Sequence, residues 1–166
     1  MINSHRAKTG FTLLEILIVI AIIAVLATIT FLDISPAIKN TRDKRRKLEI
    51  TQIGRFLVTR CYVPDAGAGE YDLATLVTEL KAKYPQYANV LAQTPRDPSR
   101  GTAEESFYRY VVNGTTKKCA LYANLEDNGA HVTIPEISAP TPGSGTGVFE
   151  GASGWNNSNK YFQFSN

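Results

Sequence analysis

Histidine and cysteine, which supply many catalytic bases, nucleophiles and metal ligands, are scarce in this chain of 166 residues. There are two histidines, His5 and His131, and two cysteines, Cys61 and Cys119. A zinc site usually gathers more histidine or thiolate ligands than these, and no H-E-x-x-H pattern occurs. Because His131 closely follows the turn sequence Asp-Asn-Gly, we interpret it as a turn residue and not as a catalytic one.

The two cysteines offer a choice between a free nucleophile and a disulfide. No C-x-x-C spacing links Cys61 to Cys119. In an exported chain one disulfide is the natural state, whereas in a cytosol they would be two free thiols. We predict a bridge between Cys61 and Cys119, which would leave no cysteine–histidine nucleophile. The chain is therefore not expected to be an enzyme.

An apolar segment over residues 11–32 dominates the first part of the chain. It has 22 residues and a single charge, Glu15. As a helix rising about 1.5 Å per residue it would measure about 33 Å, enough to cross a hydrocarbon core of about 30 Å. It is longer than the apolar region of a secretory signal and follows two basic residues, Arg6 and Lys8. We therefore predict a transmembrane helix, in which Glu15 is a costly charge.

Residues 8–15, Lys-Thr-Gly-Phe-Thr-Leu-Leu-Glu, are followed by that unbroken apolar run. Together they resemble the amino terminus of the type IV pilins and type II secretion pseudopilins. In that family a prepilin peptidase cuts after the glycine and methylates the new terminal phenylalanine, and the following glutamate helps to register the subunit. The resemblance implies a leader over 1–10, cleavage between Gly10 and Phe11, N-methylation of Phe11 and a subunit-assembly role for Glu15.

Residues 33–60 are predicted to continue the helix as an amphipathic half. Its apolar stripe consists of Ile50, Ile53, Leu57 and Cys61. Many pilins carry a proline late in the span, where this chain has Leu32. Its first proline, Pro36, marks a weak point because proline cannot donate a backbone hydrogen bond. Gly54 within the helix costs about 1 kcal/mol relative to alanine and indicates close packing.

Basic residues cluster just after the apolar segment. Residues 39–47 contain six basic residues and one acid, whereas from residue 48 onward there are 10 basic and 12 acidic residues. The cluster could be a solvated helix face beside anionic membrane lipid, or it could pair with acids of neighbouring subunits. The remainder lacks the positive excess of a nucleic-acid-binding domain, so nucleic acid is not an expected partner of the head.

Residues 61–166 are predicted to form a globular head, which makes the fold class α+β: a long N-terminal helix packed on a small antiparallel sheet. After a loop over 61–69, Asp72 is the candidate N-cap of a helix. The buried stripe of that helix is Leu73, Leu76, Val77 and Leu80. Pro85 ends or restarts it.

Strand signals follow residue 106, where aromatic and β-branched residues alternate around an Asn-Gly turn. The predicted order is strand 107–112, turn 113–114, strand 118–125, a further candidate strand 132–134, a loop 138–159 and a closing strand 161–164. The alternation would put Cys119, Leu121, Ala123 and Leu125 on one face. Some pseudopilin heads are similar to this part of the chain.

Major pseudopilins can hold calcium in a loop near the carboxyl end, and the resemblance places Glu126, Asp127 and Asn128 in such a loop. Calcium needs six to eight oxygen ligands, and three clustered side chains do not make a site. We therefore expect a solvated turn, no metal and no cofactor, with calcium as the alternative.

We interpret the chain as a structural prepilin whose mature form polymerises through its apolar helix into a pilus or pseudopilus. The implied partners are copies of itself, minor pilins, the prepilin peptidase and the inner-membrane assembly platform. The implied location is the inner (cytoplasmic) membrane as a single-pass N-in prepilin, then a filament outside the cytoplasm. One alternative is a minor pilin or competence pseudopilin that primes or caps the filament and binds DNA, substrate or a surface. A membrane-tethered hydrolase, the second alternative, lacks a catalytic constellation.

Cleavage after Gly10 is directly testable. A peptidase must bring the backbone close to its catalytic groups, and glycine has no Cβ to obstruct that approach. The intact mass of the membrane-extracted protein is expected to show the loss of residues 1–10 and the gain of one methyl group. A mature chain that begins at Met1 would contradict the prediction.

Overall fold

The computed structural model describes residues 10–30, 34–89 and 91–166. By its internal contacts the chain divides into two units, the first ending at Ser35 and the second spanning Pro36–Asn166. We call the second the sheet unit. Of the predicted leader, only Gly10 lies within the described residues.

The first unit contains helix α1, Leu13–Thr30. In the part of the chain that the structure describes, no helix is both long and apolar enough to cross a membrane. The predicted transmembrane helix over 11–32 is therefore not confirmed, and its last two residues lie outside the described residues.

Helix α2 spans Ser35–Val58, and Ile34 before it is not helical. Pro36 lies in its first turn, where the missing N–H costs nothing because the first helical N–H groups have no partner within the helix. The structure thus has two helices where the sequence predicted one. The predicted continuous helix also passes through residues 31–33, which lie outside the described residues.

After α2 the described residues of the sheet unit form five strands, one further α-helix and a 3₁₀ turn. In chain order these are β1 (Gly69–Asp72), α3 (Leu73–Lys83), a 3₁₀ turn (Pro85–Tyr87), β2 (Arg109–Asn113), β3 (Lys118–Asn124), β4 (Gly147–Glu150) and β5 (Lys160–Ser165). The strands form one sheet in the order β1-β2-β3-β5-β4, and every neighbouring pair is antiparallel. The predicted α+β class is confirmed.

The main core lies between α2, α3 and one face of the sheet. Leu121 of β3 is opposite both Tyr110 of β2 and Phe164 of β5, so the three side chains lie on the same face. The predicted helical stripes are buried there: Ile50, Leu57 and Cys61 from the first, and Leu73, Leu76, Val77 and Leu80 from the second. Asp72 caps α3 as predicted, because its Oδ1 accepts from the N–H of Ala74 at 2.8 Å.

The opposite face of the sheet is covered by loop residues. The ring of Trp155 packs against Tyr122 and Tyr161, with ring centroids 6.2 and 5.8 Å away. Phe149 stacks on Tyr161 at 5.3 Å. Because both faces are covered, all residues of β3 after Lys118 are buried, and the predicted alternation of a half-exposed strand is lost.

Three of the strand predictions were wrong. β1 lies partly in the predicted loop 61–69 and continues to Asp72, and β4 lies in the predicted loop 138–159. Residues 132–134 form no strand; instead the N–H groups of Thr133 and Ile134 both donate to the carbonyl of Val148. Strands of four residues carry little local signal, and their pairing with β2 and β5 decides them.

Gly54 lies where α2 contacts the sheet. A Cβ built on Gly54 would lie 2.6 Å from Cδ1 and 2.8 Å from Cγ of Phe164. These atoms are near the backbone end of the phenylalanine side chain, so they cannot swing away cheaply. The predicted close packing at Gly54 is confirmed.

Gly54→Ala therefore tests the packing of α2 on the sheet. Helix propensity alone would stabilise the variant by about 1 kcal/mol, but overpacking typically costs about 1–3 kcal/mol. Since the contact is severe, we expect a net loss of about 1–2 kcal/mol in the free energy of unfolding, measured by denaturation followed through Trp155 fluorescence. Phe164→Ala removes both contacted atoms, so Gly54→Ala should cost less in a Phe164→Ala background than in the parent. A Gly54→Ala chain as stable as the parent would contradict the prediction.

Candidate functional site

Gly10 and Phe11 lie before the first helix, and neither is helical. Phe11 is 85% exposed. No described atom lies within 4 Å of the place where a Cβ on Gly10 would stand. The fold of the described chain therefore does not demand glycine at this position. If glycine is required, the requirement comes from a molecule that approaches this backbone.

Thr12 and Glu15 form a capping box at the start of α1. The backbone N–H and the hydroxyl of Thr12 donate to Oε2 of Glu15 at 2.8 and 2.9 Å. The N–H of Glu15 in turn lies 3.3 Å from the Thr12 hydroxyl oxygen, which accepts it. This is the reciprocal pattern of the T-x-x-E signature, which our sequence analysis missed although the motif is visible in the printed sequence. Glu15 thus helps to determine where the helix begins.

The rest of α1 is apolar around its whole circumference. Its large side chains are exposed, from 48% for Ile18 to 83% for Leu13. A helix with apolar residues on every side normally requires an apolar environment around it. Glu15 is the only charged residue in this helix.

A second cluster is built around Arg46, whose side chain is completely buried. Its Nε and Nη2 donate to the two carboxylate oxygens of Asp97, both at 2.8 Å. Nη1 donates to Asp43 at 2.7 Å, and Nη2 lies 2.7 Å from Oε1 of Glu126. Such a bidentate arginine–carboxylate pair is strong and geometrically specific. One side chain of α2 therefore holds three carboxylates.

The carboxylates of this cluster connect α2 to loops at the end of the sheet. Asp43 accepts from the backbone N–H groups of Glu126 and Asp127, each at 2.9 Å. Asp97 accepts from Nδ2 of Asn156 at 2.8 Å. We call Arg42, Asp43, Arg46, Asp97, Glu126 and Asn156 the Arg46 network. Sequence reasoning missed it, because Arg46 and Asp97 lie 51 residues apart.

Burial raises the pKa of Asp97 and Glu126 in this network, whereas hydrogen bonds from their cationic partners lower it. Burial by itself would raise the pKa of Asp97, but hydrogen bonds from Arg46, Asn156 and Ser99 outweigh it and hold the pKa well below its usual range. The pKa of Glu126 is also lowered, since bonds from Arg42 and Arg46 outweigh its partial burial. Both acids are therefore charged at neutral pH.

The three candidate calcium ligands, Glu126, Asp127 and Asn128, accept hydrogen bonds from other groups of the chain. Glu126 receives Arg42 through two bonds, at 2.8 and 2.5 Å, in addition to Arg46. Asp127 Oδ1 accepts from the N–H of Gly129, and Asn128 Oδ1 accepts from the N–H of Asn159 at 3.3 Å. Within the described residues, no group of three or more histidine, cysteine or acidic side chains could hold a metal. The calcium alternative has no geometric support here.

The predicted disulfide is present. Cys61 and Cys119 are bonded, with Cα atoms 5.4 Å apart, so neither is a free nucleophile for the exposed His131. The bridge joins the end of α2 to β3. Asn166 lies over it, because its amide donates to Sγ of Cys61 at 3.0 Å and accepts from the N–H of Cys119 at 3.1 Å.

The amino-terminal site matches a known family. Residues 5–31 match the prokaryotic N-terminal methylation motif. This motif is the class III signal peptide of type IV pilins and pseudopilins. This motif covers about a sixth of the chain, supports a type IV pilin-like or pseudopilin protein and implies a membrane-anchored prepilin that later enters a pilus. No curated protein and no solved structure matched the chain.

The Arg46 network predicts a specific dependence of stability on pH. Because the pKa of Asp97 is lowered by folding, its contribution to stability is complete above the unfolded pKa of about 4 and is lost as the pH falls below that value. Arg46→Met should lower the free energy of unfolding at pH 7 by about 3–5 kcal/mol, since it leaves buried charges unpaired. The variant should also lose less stability than the parent below about pH 4, because its Asp97 is no longer held at a low pKa.

Arg45→Met is the matched control. Arg45 neighbours Arg46 on α2, but its side chain is 60% exposed and, among the described residues, forms an ion pair only with Glu49. This change should cost less than about 1 kcal/mol and leave the acid profile unchanged. Equal losses for the two variants, or identical acid profiles for Arg46→Met and the parent, would contradict a structural role for the network.

Proposed function

We propose that the chain is a prepilin that is cut between Gly10 and Phe11, methylated at Phe11 and polymerised through α1 into a pilus or pseudopilus. The observation that carries this is the order of the described features within the methylation motif. An exposed, non-helical Gly10–Phe11 pair is followed directly by the capping box and then by an exposed apolar helix. The motif itself supports the coarser assignment to pilin-like proteins.

The peptidase needs access to the bond that it cuts. Extended or irregular backbone can enter a protease cleft, whereas a helix must first unwind. Gly10 and Phe11 lie outside α1, and a side chain on Gly10 would meet no described atom. The requirement for glycine is then imposed by the peptidase, with which the prepilin makes its first contact.

Glu15 has one carboxylate oxygen for its own helix and one for a neighbour. Both Thr12 bonds go to Oε2, and Oε1 accepts no hydrogen bond from the described residues. Cutting after Gly10 creates an ammonium group at Phe11, and a second subunit can present that group to Oε1. A subunit out of register would leave an acid and an amine unpaired among apolar helices, which is strongly unfavourable.

Assembly buries the apolar surface of α1. Side chains such as Leu13, Leu14 and Val25 are each more than 60% exposed in the single chain. Packing these helices against each other removes the surface from contact with water or lipid and supplies close van der Waals contacts. The filament is then built from copies of the chain and started by minor pilins on the inner-membrane platform.

Glu15→Gln separates the capping role from the charge. Glutamine can still accept the Thr12 bonds, because the capping box accepts Glu or Gln at this position, but it cannot pair with an ammonium group as an ion. As the only copy in the cell, this variant should be cut and methylated normally. Its filament yield should fall about tenfold or more, because the acid–amine pair is lost.

Thr12→Ala is the matched control for the capping box. It removes the hydroxyl but keeps the Glu15 charge, and should be assembled much better than Glu15→Gln. Filament yield is measured from sheared filaments and cleavage from intact mass. A normal yield of Glu15→Gln filaments would show that the charge does not set the register, whereas a larger loss for Thr12→Ala would assign Glu15 to capping alone.

A further inference from the structure

The sheet unit has a groove where the last turns of α2 meet α3. The groove encloses about 620 Å³. We call it the basic–aromatic groove and define it by Arg55, Phe56, Arg60, Tyr84 and Tyr87. Phe56 and Tyr87 are each 45% exposed, and their rings meet edge to face with centroids 6.0 Å apart. Exposed aromatic rings grouped in this way are typical of a contact surface.

The cations of the groove have no acidic partner. Arg55 and Arg60 are both exposed, and neither forms an ion pair with any residue that the structure describes. This differs from Arg42, Arg45 and Arg46, which are all paired with acids of the same chain. Two unpaired cations beside exposed rings favour an occupant that is acidic and partly apolar.

The chain itself carries such a surface beside β4. From residue 119 to residue 159 it has four acids and no lysine or arginine, whereas residues 35–60 have eight basic residues and two acids. Of the four acids, Glu126 and Glu150 are paired with cations of the same chain. The surface beside β4, which we call the acidic edge, is formed by Val132, Pro135, Glu136, Ile137 and Glu150. Glu136 is exposed and pairs with no cation among the described residues. Glu150 is paired with Lys160, so Glu136 is the charge that this edge offers to the two arginines of the groove, beside the apolar Val132, Pro135 and Ile137.

The two surfaces are formed by different parts of the sheet unit. The groove is lined by α2, α3 and the 3₁₀ turn, whereas the acidic edge borders β4, and the two surfaces share no residue. One copy can therefore use both surfaces at once, with two different neighbours. Contacts between unlike surfaces do not close a dimer but propagate a ring or a helical filament.

We propose that the basic–aromatic groove of one subunit receives the acidic edge of the next subunit in the filament. Arg55 and Arg60 face Glu136, while Val132, Pro135 and Ile137 cover the exposed rings. The inference rests on the proposed function, because it assigns the contact between sheet units in a polymer held together by α1. Each contact can be small, since a polymer repeats it and the helices hold the units at high effective concentration.

Cross-linking in assembled filaments tests the contact. The full chain carrying Tyr87→Cys and Ile137→Cys is treated with a short bismaleimide, the native cysteines being bonded to each other. A ladder of covalent oligomers is expected from filaments, and none from detergent-extracted subunits or from either single-cysteine chain. If the chain forms no filaments, the proposed function fails. If it forms filaments that give no ladder, only this inference fails.

Exchange of the charges provides an independent test. Arg60→Glu should reduce filament yield by about threefold or more, because like charges would then meet at each copy of the contact. Glu136→Arg should act similarly, and the double variant should regain the parental yield. Lys117→Glu, the same charge change at an exposed position between β2 and β3, should have no effect.

Two results would overturn the contact. One is a double variant no better than the single ones while Trp155 fluorescence shows that all of them are folded. The other is tight binding of oligodeoxythymidine that is lost in Arg60→Glu without any change in filament yield, which would assign the groove to single-stranded nucleic acid.

Discussion

The buried guanidinium of Arg46 holds together parts of the sheet unit that no regular secondary structure connects. It lies on α2, and its three guanidinium nitrogens reach Asp43, Asp97 and Glu126. Asp43 then holds the chain after β3, and Asn156 joins the loop over residues 151–159. Without these bonds, few contacts would hold the loops at this end of the sheet in one conformation. A hydrophobic core alone would fix α2 and the strands but not these loops.

The Arg46 network fixes the conformation of these loops more than it adds to the free energy of unfolding. Removing charges from water costs several kcal/mol per ion, and their pairing only offsets that cost when the geometry is good. Here every member of the Arg46 network has hydrogen-bonding partners, so the desolvation is compensated. Arg42 and Arg46 bring positive charge to Glu126, so this acid is held by two cations of the same chain.

The two units of the chain differ in how much of their apolar surface is buried. In the sheet unit, the disulfide, Gly54 against Phe164 and the covered faces of β3 leave little unsatisfied surface. In α1 nearly every apolar side chain is exposed. A single chain of this kind buries the apolar core of its sheet unit but leaves the apolar surface of α1 exposed. Assembly through an amino-terminal helix requires such an exposed apolar surface. The proposed contact between groove and acidic edge adds a second, weaker link between complete units.

The amino-acid sequence by itself determined the features that depend on neighbouring residues. The methylation motif over residues 5–31, the Asp72 cap with its helical stripe and the closing strand β5 are all local patterns, and so is the Thr12–Glu15 capping box, which sequence reasoning missed. The pairing of the two cysteines also followed, since only one bridge is possible between two cysteines.

Only the tertiary structure decided β1 and β4, because strands of four residues form only where a neighbouring strand pairs with them. It also decided the partners of Arg46 and Glu126. The sequence shows a run of basic residues on a helix, but which of them is buried depends on acids dozens of residues away, and a charge has no local pattern that reveals its partner.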